Sequence, residues 1–157
     1  VFVDALREEL EEAAARHVAV GIKSFGPGRV EGAHVVMDSR GESAWREGPG
    51  QWMSISADGR EVLSVLLDHA GEHLETAHWS RNPLLNWQMY TGIATNILLA
   101  EVEALVAAGA TGAEITRALG SLHRIQTPVS GGKSELHRRY RASSAAGKRG
   151  VRGKRSS

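Results

Sequence analysis

No cysteine occurs in the 157 residues, which excludes disulfides, thiolate metal sites and thiol nucleophiles. Aromatic side chains make up only 5% of the chain, too few for a large aromatic core. No uninterrupted apolar run approaches the roughly 20 residues that a membrane helix needs. The stretch Val1 to Leu10 is acid-rich and shows no signal-peptide pattern. These absences set the expectation of a cytoplasmic protein with no membrane partner.

What is present is the composition of an ordinary globular protein, 41% apolar and 24% charged, with 18 glycines. The length suits one domain, or one compact domain with a smaller appendage. The net charge of +1 conceals a division along the chain. Residues 133–157 hold nine Lys or Arg against one acid, or +8. The other 132 residues hold ten against seventeen, or −7, and the two parts together give +1. An asymmetry of this size points to nucleic acid or another anionic surface.

Ala5 to Arg16 are helix formers without Gly or Pro, with Asp4 placed to cap them. From Val18 onward the pattern reads as strands: Val18 to Ile22, Ala33 to Met37, a short piece at Glu42 to Arg46, and Gln51 to Ser56. Their short connections predict an antiparallel meander. The next segment, Asp58 to His78, reads as a helix with Val62, Val65, Leu66, His69, His73 and Leu74 on one broad face. Asn82 and Pro83 then form a start signal for a long helix, Leu84 to Ala107, which Gly109 ends. Its broad apolar face is a candidate seam for a homodimer. Beyond Ser143 only Gly, Ser, Ala, Lys and Arg occur apart from Val151, a composition expected to be disordered. The predicted fold class is therefore α+β: an N-terminal helix and small antiparallel sheet, a helical C-terminal half, and a basic tail. The corresponding division is 1–82, 83–142 and 143–157, with the first part a sensor, partner or dimerisation module that could take a small ligand.

Thr111 and Glu114 make a Thr-x-x-Glu capping box that fixes a helix start. Ile115, Ala118 and Leu119 are placed to pack on the long helix, and Gly120 to end the short one in a sharp turn. The stretch Ala108 to Gly120, followed by Leu136-His137-Arg138-Arg139-Tyr140, resembles the helix-turn-helix segments of actinobacterial DNA-binding proteins. The resemblance implies a cytoplasmic, dimeric transcriptional regulator with no cofactor. Thr111 to Leu119 would be its supporting helix and Lys133 to Arg141 its recognition helix. Leu136 and Tyr140 would then face inward, with Lys133, Ser134, His137, Arg138 and Arg141 toward DNA. The chain departs from that pattern at Ser121 to Gly132, an insertion bearing Arg124 where a turn of a few residues is usual. Lys148, Arg149 and Arg152 form a basic arm able to follow a phosphate backbone or enter a minor groove.

Two other classes stay open. His69 and His73 would lie four apart on one helical face, the spacing of a metal pair, in a metal-binding or enzymatic domain. A structural or assembly protein, such as a phage or particle component, would use the same basic tail on packaged nucleic acid. Gly26-Pro27-Gly28 and Gly48-Pro49-Gly50 read as turns. Gly131-Gly132-Lys133-Ser134 lacks the first glycine of a phosphate loop, Thr127 standing at that position.

Overall fold

A computed structural model gives the structure at residues 2–41, 43–122, 125, 134–139 and 141. The fold is α+β, with an N-terminal helical stretch, a small antiparallel sheet and a helical C-terminal half. The N-terminal stretch is α1 (Phe2–Ala5) and α2 (Arg7–Ala15), which break only at Leu6. Asp4 lies inside α1 and pairs with Arg7; it does not cap the helix. His17, at φ 64°, ends α2 in the left-handed conformation. Its N–H donates to Ala14 O at 2.9 Å and that of Val18 to Ala13 O at 3.1 Å, the Schellman pattern with a histidine where glycine is usual.

The meander is corrected in two respects. First, β1 (Gly21–Ser24) and β2 (His34–Met37) pair in parallel, Gly21 opposite His34 and Ser24 opposite Met37. The strands are short, so the nine residues 25–33 suffice to carry the chain back along one of them, and no helical crossover is needed. Second, the piece expected as a strand before Gly48 is a helical turn, α3 (Ser43–Arg46).

A larger correction concerns Asp58 to His78, which is a β-hairpin. The strands β3 (Gln51–Ala57), β4 (Glu61–Leu67) and β5 (Leu74–Ser80) form an antiparallel sheet. Asp58 and Gly59, at φ 51° and 61°, make the β3–β4 turn, closed by Arg60 N–H donating to Ala57 O at 2.8 Å. Asp-Gly with two positive φ angles is the strongest short hairpin signal, and it prevails over the capping role that Asp58 could also fill. At the β4–β5 turn the Asp68 carboxylate accepts the N–H groups of Glu72 (2.9 Å) and His73 (3.3 Å). Val62 to Leu67 is an apolar run too short for its period to separate helix from strand.

The helix α4 (Pro83–Ala107) forms as expected. Asn82 accepts Leu84 N–H (3.0 Å) and Leu85 N–H (3.2 Å), Pro83 opens the first turn, and Gly109 at φ 76° closes the last. No charged residue occurs between Arg81 and Glu101, and α4 is long and apolar enough to cross a membrane by length and composition alone. Here it packs against β1 and β2 and also against β3 and β4. Its Ile97 and Ala100 join Val36 in the core, with Ile93 and Ile125 against them. Asn86, fully buried, donates to the carbonyl of Arg60 and so ties the first turns of α4 to the β3–β4 turn. The core is thus shared across residue 82. In β3–β5 only Val62 and Ser80 are buried.

Candidate nucleic-acid interface

Ala108 to Thr111 turn the chain from α4 into α5 (Gly112–Ser121). The capping box is complete: Thr111 N–H donates to Glu114 Oε2 at 2.7 Å, and Glu114 N–H donates to Thr111 Oγ1 at 3.4 Å. The Thr111 N–H, and then its hydroxyl, which also donates to Glu114 Oε2 at 2.8 Å, hold the Glu114 carboxyl below its usual range. Ile115, Ala118 and Leu119 are half-buried, as a helix lying on α4 requires. Gly120 is not the left-handed stop expected of it. The helix runs through Gly120 to Ser121, and its end is Leu122, buried at 5% exposure. The left-handed glycine of this region is Gly109, so the tight turn lies before α5 and not after it.

Leu122 and Ile125 bring the chain back to the body. Ile125 N–H donates to Leu122 O at 2.9 Å, and Tyr90, from the first third of α4, donates its hydroxyl to Ile125 O. Burial, with a smaller contribution from Asp58, pushes the Tyr90 hydroxyl up to about 12, so it stays a donor. Ile125 also lies against Gly21, where the absence of a side chain makes room for it. The chain therefore leaves for its basic quarter from a fixed point beside β1.

Within that quarter, 134–139 is helical and so is Arg141. Ser134, His137, Arg138 and Arg141 are all exposed there, and Leu136 is half-buried. Arg124, Lys133, Lys148, Arg149 and Arg152 lie outside the described residues, as do the side chain of Tyr140 and the tail expected to be disordered. Sequence reasoning passed over two participants. Glu135 accepts from Arg138 Nε at 2.8 Å and from Arg139 Nε at 2.7 Å. The Arg138 bond first, then that of Arg139, holds the Glu135 carboxyl down at about 2, so it is ionised at any physiological pH. The Glu-x-x-Arg-Arg spacing carries this signal, since residues three and four apart are neighbours on a helix. One carboxylate thus positions two guanidinium groups on an exposed helical surface.

A second polar cluster sits at the ends of β1 and β2. Lys23 Nζ donates to Asp38 Oδ2 at 2.7 Å, and Arg40 donates to Asp38 Oδ1 from its backbone N–H (2.9 Å) and from Nε (3.2 Å). Burial pushes the Asp38 carboxyl up, but these hydrogen bonds outweigh it and bring it to about 2. Ser39 Oγ donates to Glu103 of α4 at 2.6 Å. Both Asp38 oxygens are occupied by donors, which lock β1 to the turn after β2, and Ser39 ties that turn to α4. His69 and His73 lie in the β4–β5 turn, so the helical face that would have made them a pair does not exist. His69 Nε2 instead meets Gly48 O at 3.0 Å. Among the described residues no group of three or more His, Asp or Glu is placed to hold a metal.

Comparison of the chain with protein-family models, with curated proteins and with solved structures gives no match.

Proposed function

We propose that the chain binds nucleic acid, DNA foremost, through its basic C-terminal quarter, and that it acts as a regulator of transcription. The observation that carries this reading is the charge division, +8 in residues 133–157 against −7 in the rest. Lys and Arg that neutralise phosphates release condensed counterions, and so dense a cationic segment binds a polyanion with steep salt dependence. The exposed His137, Arg138, Arg139 and Arg141 support a folded contribution to that binding. Glu135 tempers it, because both Arg138 and Arg139 must share their donors between its carboxylate and a phosphate.

The test is fluorescence anisotropy with labelled duplex DNA across a salt series, for the full chain and for a chain ended after Ala142. Retained binding by the shorter chain, with preference among DNA sequences, is the expected result. Arg138→Ala together with Arg141→Ala should then lower affinity about tenfold or more, and Glu135→Gln should raise it. Loss of all binding with the tail removed would leave only a nonspecific arm, and no binding by the full chain would end the proposal.

A further inference from the structure

The side of α4 that turns away from both sheets is free of charge as far as Ala100 and, among the described residues, uncovered. Leu84 is 48% exposed, Leu99 54% and Val106 59%, and Thr91 and Thr95 between them are exposed too. With Gln88 and the half-buried Val102 these positions recur every three or four residues, a stripe about 33 Å long. Two observations say what covers it. The stripe is self-complementary about its midpoint, Thr95. Leu84 and Val106 stand eleven residues to either side, Gln88 and Val102 seven, Thr91 and Leu99 four. An antiparallel pair crossing at Thr95 therefore sets each larger residue against a smaller counterpart, Leu84 on Val106 and Leu99 on Thr91. Gly92 faces open space and falls opposite Leu98, three residues to the other side, so two helices can approach closely there.

The second observation concerns charge and polarity. The stripe carries no ionised group from Asn82 to Ala100, and the same antiparallel register sets Glu103 opposite Trp87, beside the N-terminal, positive end of the other helix. Two of the polar side chains on this side are satisfied inside their own helix. Thr91 Oγ1 donates to Trp87 O at 2.8 Å, and Asn96 Nδ2 to Gly92 O at 3.0 Å. Covering them leaves those donors paired. The Thr95 hydroxyl would meet its own copy at the crossing, and a hydroxyl both donates and accepts, so one can donate to the other. A parallel pair would instead align the two helix dipoles and put Glu103 beside Glu103.

We infer that this face of α4 binds a second copy of the same chain, in an antiparallel, two-fold arrangement centred on Thr95. Such an interface is isologous, each residue meeting its counterpart across the dyad. The inference does not depend on nucleic-acid binding and is tested without it.

Light scattering and sedimentation of the full chain should give twice the chain mass of 16.9 kDa. Leu99→Glu should raise the dissociation constant about thirtyfold or more and leave the far-ultraviolet circular dichroism unchanged. Because the chain has no cysteine, cross-linking reads the register directly. Thr95→Cys should form an intermolecular disulfide under mild oxidation, since only residues at the dyad meet their own copies within bonding distance. Leu84→Cys alone should not, whereas Leu84→Cys mixed with Val106→Cys should. A monomeric mass overturns the inference, and so does a monomer that floats with phosphatidylcholine vesicles, which would make lipid the occupant. A dimer in which Leu84→Cys cross-links to itself and Thr95→Cys does not overturns the register. If Leu99→Glu does not fold, the cysteine series decides alone.

Discussion

The two sheets among the described residues are built from similar residues and have opposite fates. The parallel pair β1–β2 has only four residues per strand, yet it holds Val36 in the main core, and Ser24 and Asp38 are buried at its end. The antiparallel sheet β3–β5 has seven residues per strand and buries only Val62 and Ser80 within them. Cross-strand pairing puts Ile55, Leu63 and Trp79 in one row across this sheet, and Ile55 and Trp79 are 39% and 58% exposed. Strand length and apolar content therefore do not decide which sheet becomes the core. The track of α4 does. Its middle, at Ile97 and Ala100, lies on the short sheet, while it reaches the long one from Asn86, near the β3–β4 turn.

Three measurements would break or sharpen that contrast. The largest effect is expected at Ile97, 2% exposed where α4 meets the short sheet. Ile97→Ala should cost about 3–4 kcal/mol in chemical denaturation, the range of a large aliphatic removed from a packed site. A loss under about 1 kcal/mol would mean that the core lies elsewhere. Next comes the lock at the end of the short sheet. Asp38→Asn should cost about 2–3 kcal/mol at neutral pH, because it leaves the largely buried Lys23 without its counter-charge. The Asp38 carboxyl sits at about 2, below the ordinary value of 3.8, so this contribution is complete above about pH 4 and disappears as pH falls through 2. The stability gap between the native chain and Asp38→Asn should close over that interval, and a gap unchanged at about pH 2 would refute the ion pair as its source. The smallest effect belongs to the open sheet. Ile55→Thr should change stability by less than about 0.5 kcal/mol, as surface substitutions do. A cost of about 2 kcal/mol or more would show that something covers that face.

How much of this was legible in the sequence depends on the range of the interaction responsible. The ends of α4 were, because Asn82, Pro83 and Gly109 act on backbone groups within a few residues of themselves. So was the start of α5, where Thr111 and Glu114 satisfy each other's donors. Asp58-Gly59 was equally local and was misread, since aspartate serves both a helix start and a hairpin turn, and the apolar residues after it suited either. The parallel pairing of β1 with β2 could not be read locally. It rests on the return of the chain across residues 25–33 and on α4 lying over both strands, with contacts as distant in sequence as Val36 and Ile97. For the candidate interface, the exposure of His137, Arg138 and Arg141 was expected. The Glu135 clamp is written in the spacing but is easily passed over, because the basic residues around it dominate the charge.

The path of α4 also bears on modularity. The two sheets are not hydrogen-bonded to each other, and the change of periodicity at residue 82 invites a cut there. Yet the only long apolar rod in the described chain lies on the far side of that cut, and both sheets lean on it. Separated at that point, the first part would carry all five described strands without the helix on which both sheets lean, and the second would carry a naked apolar helix. Neither half is a transplantable unit, and exchange of either with another protein would have to carry α4 along.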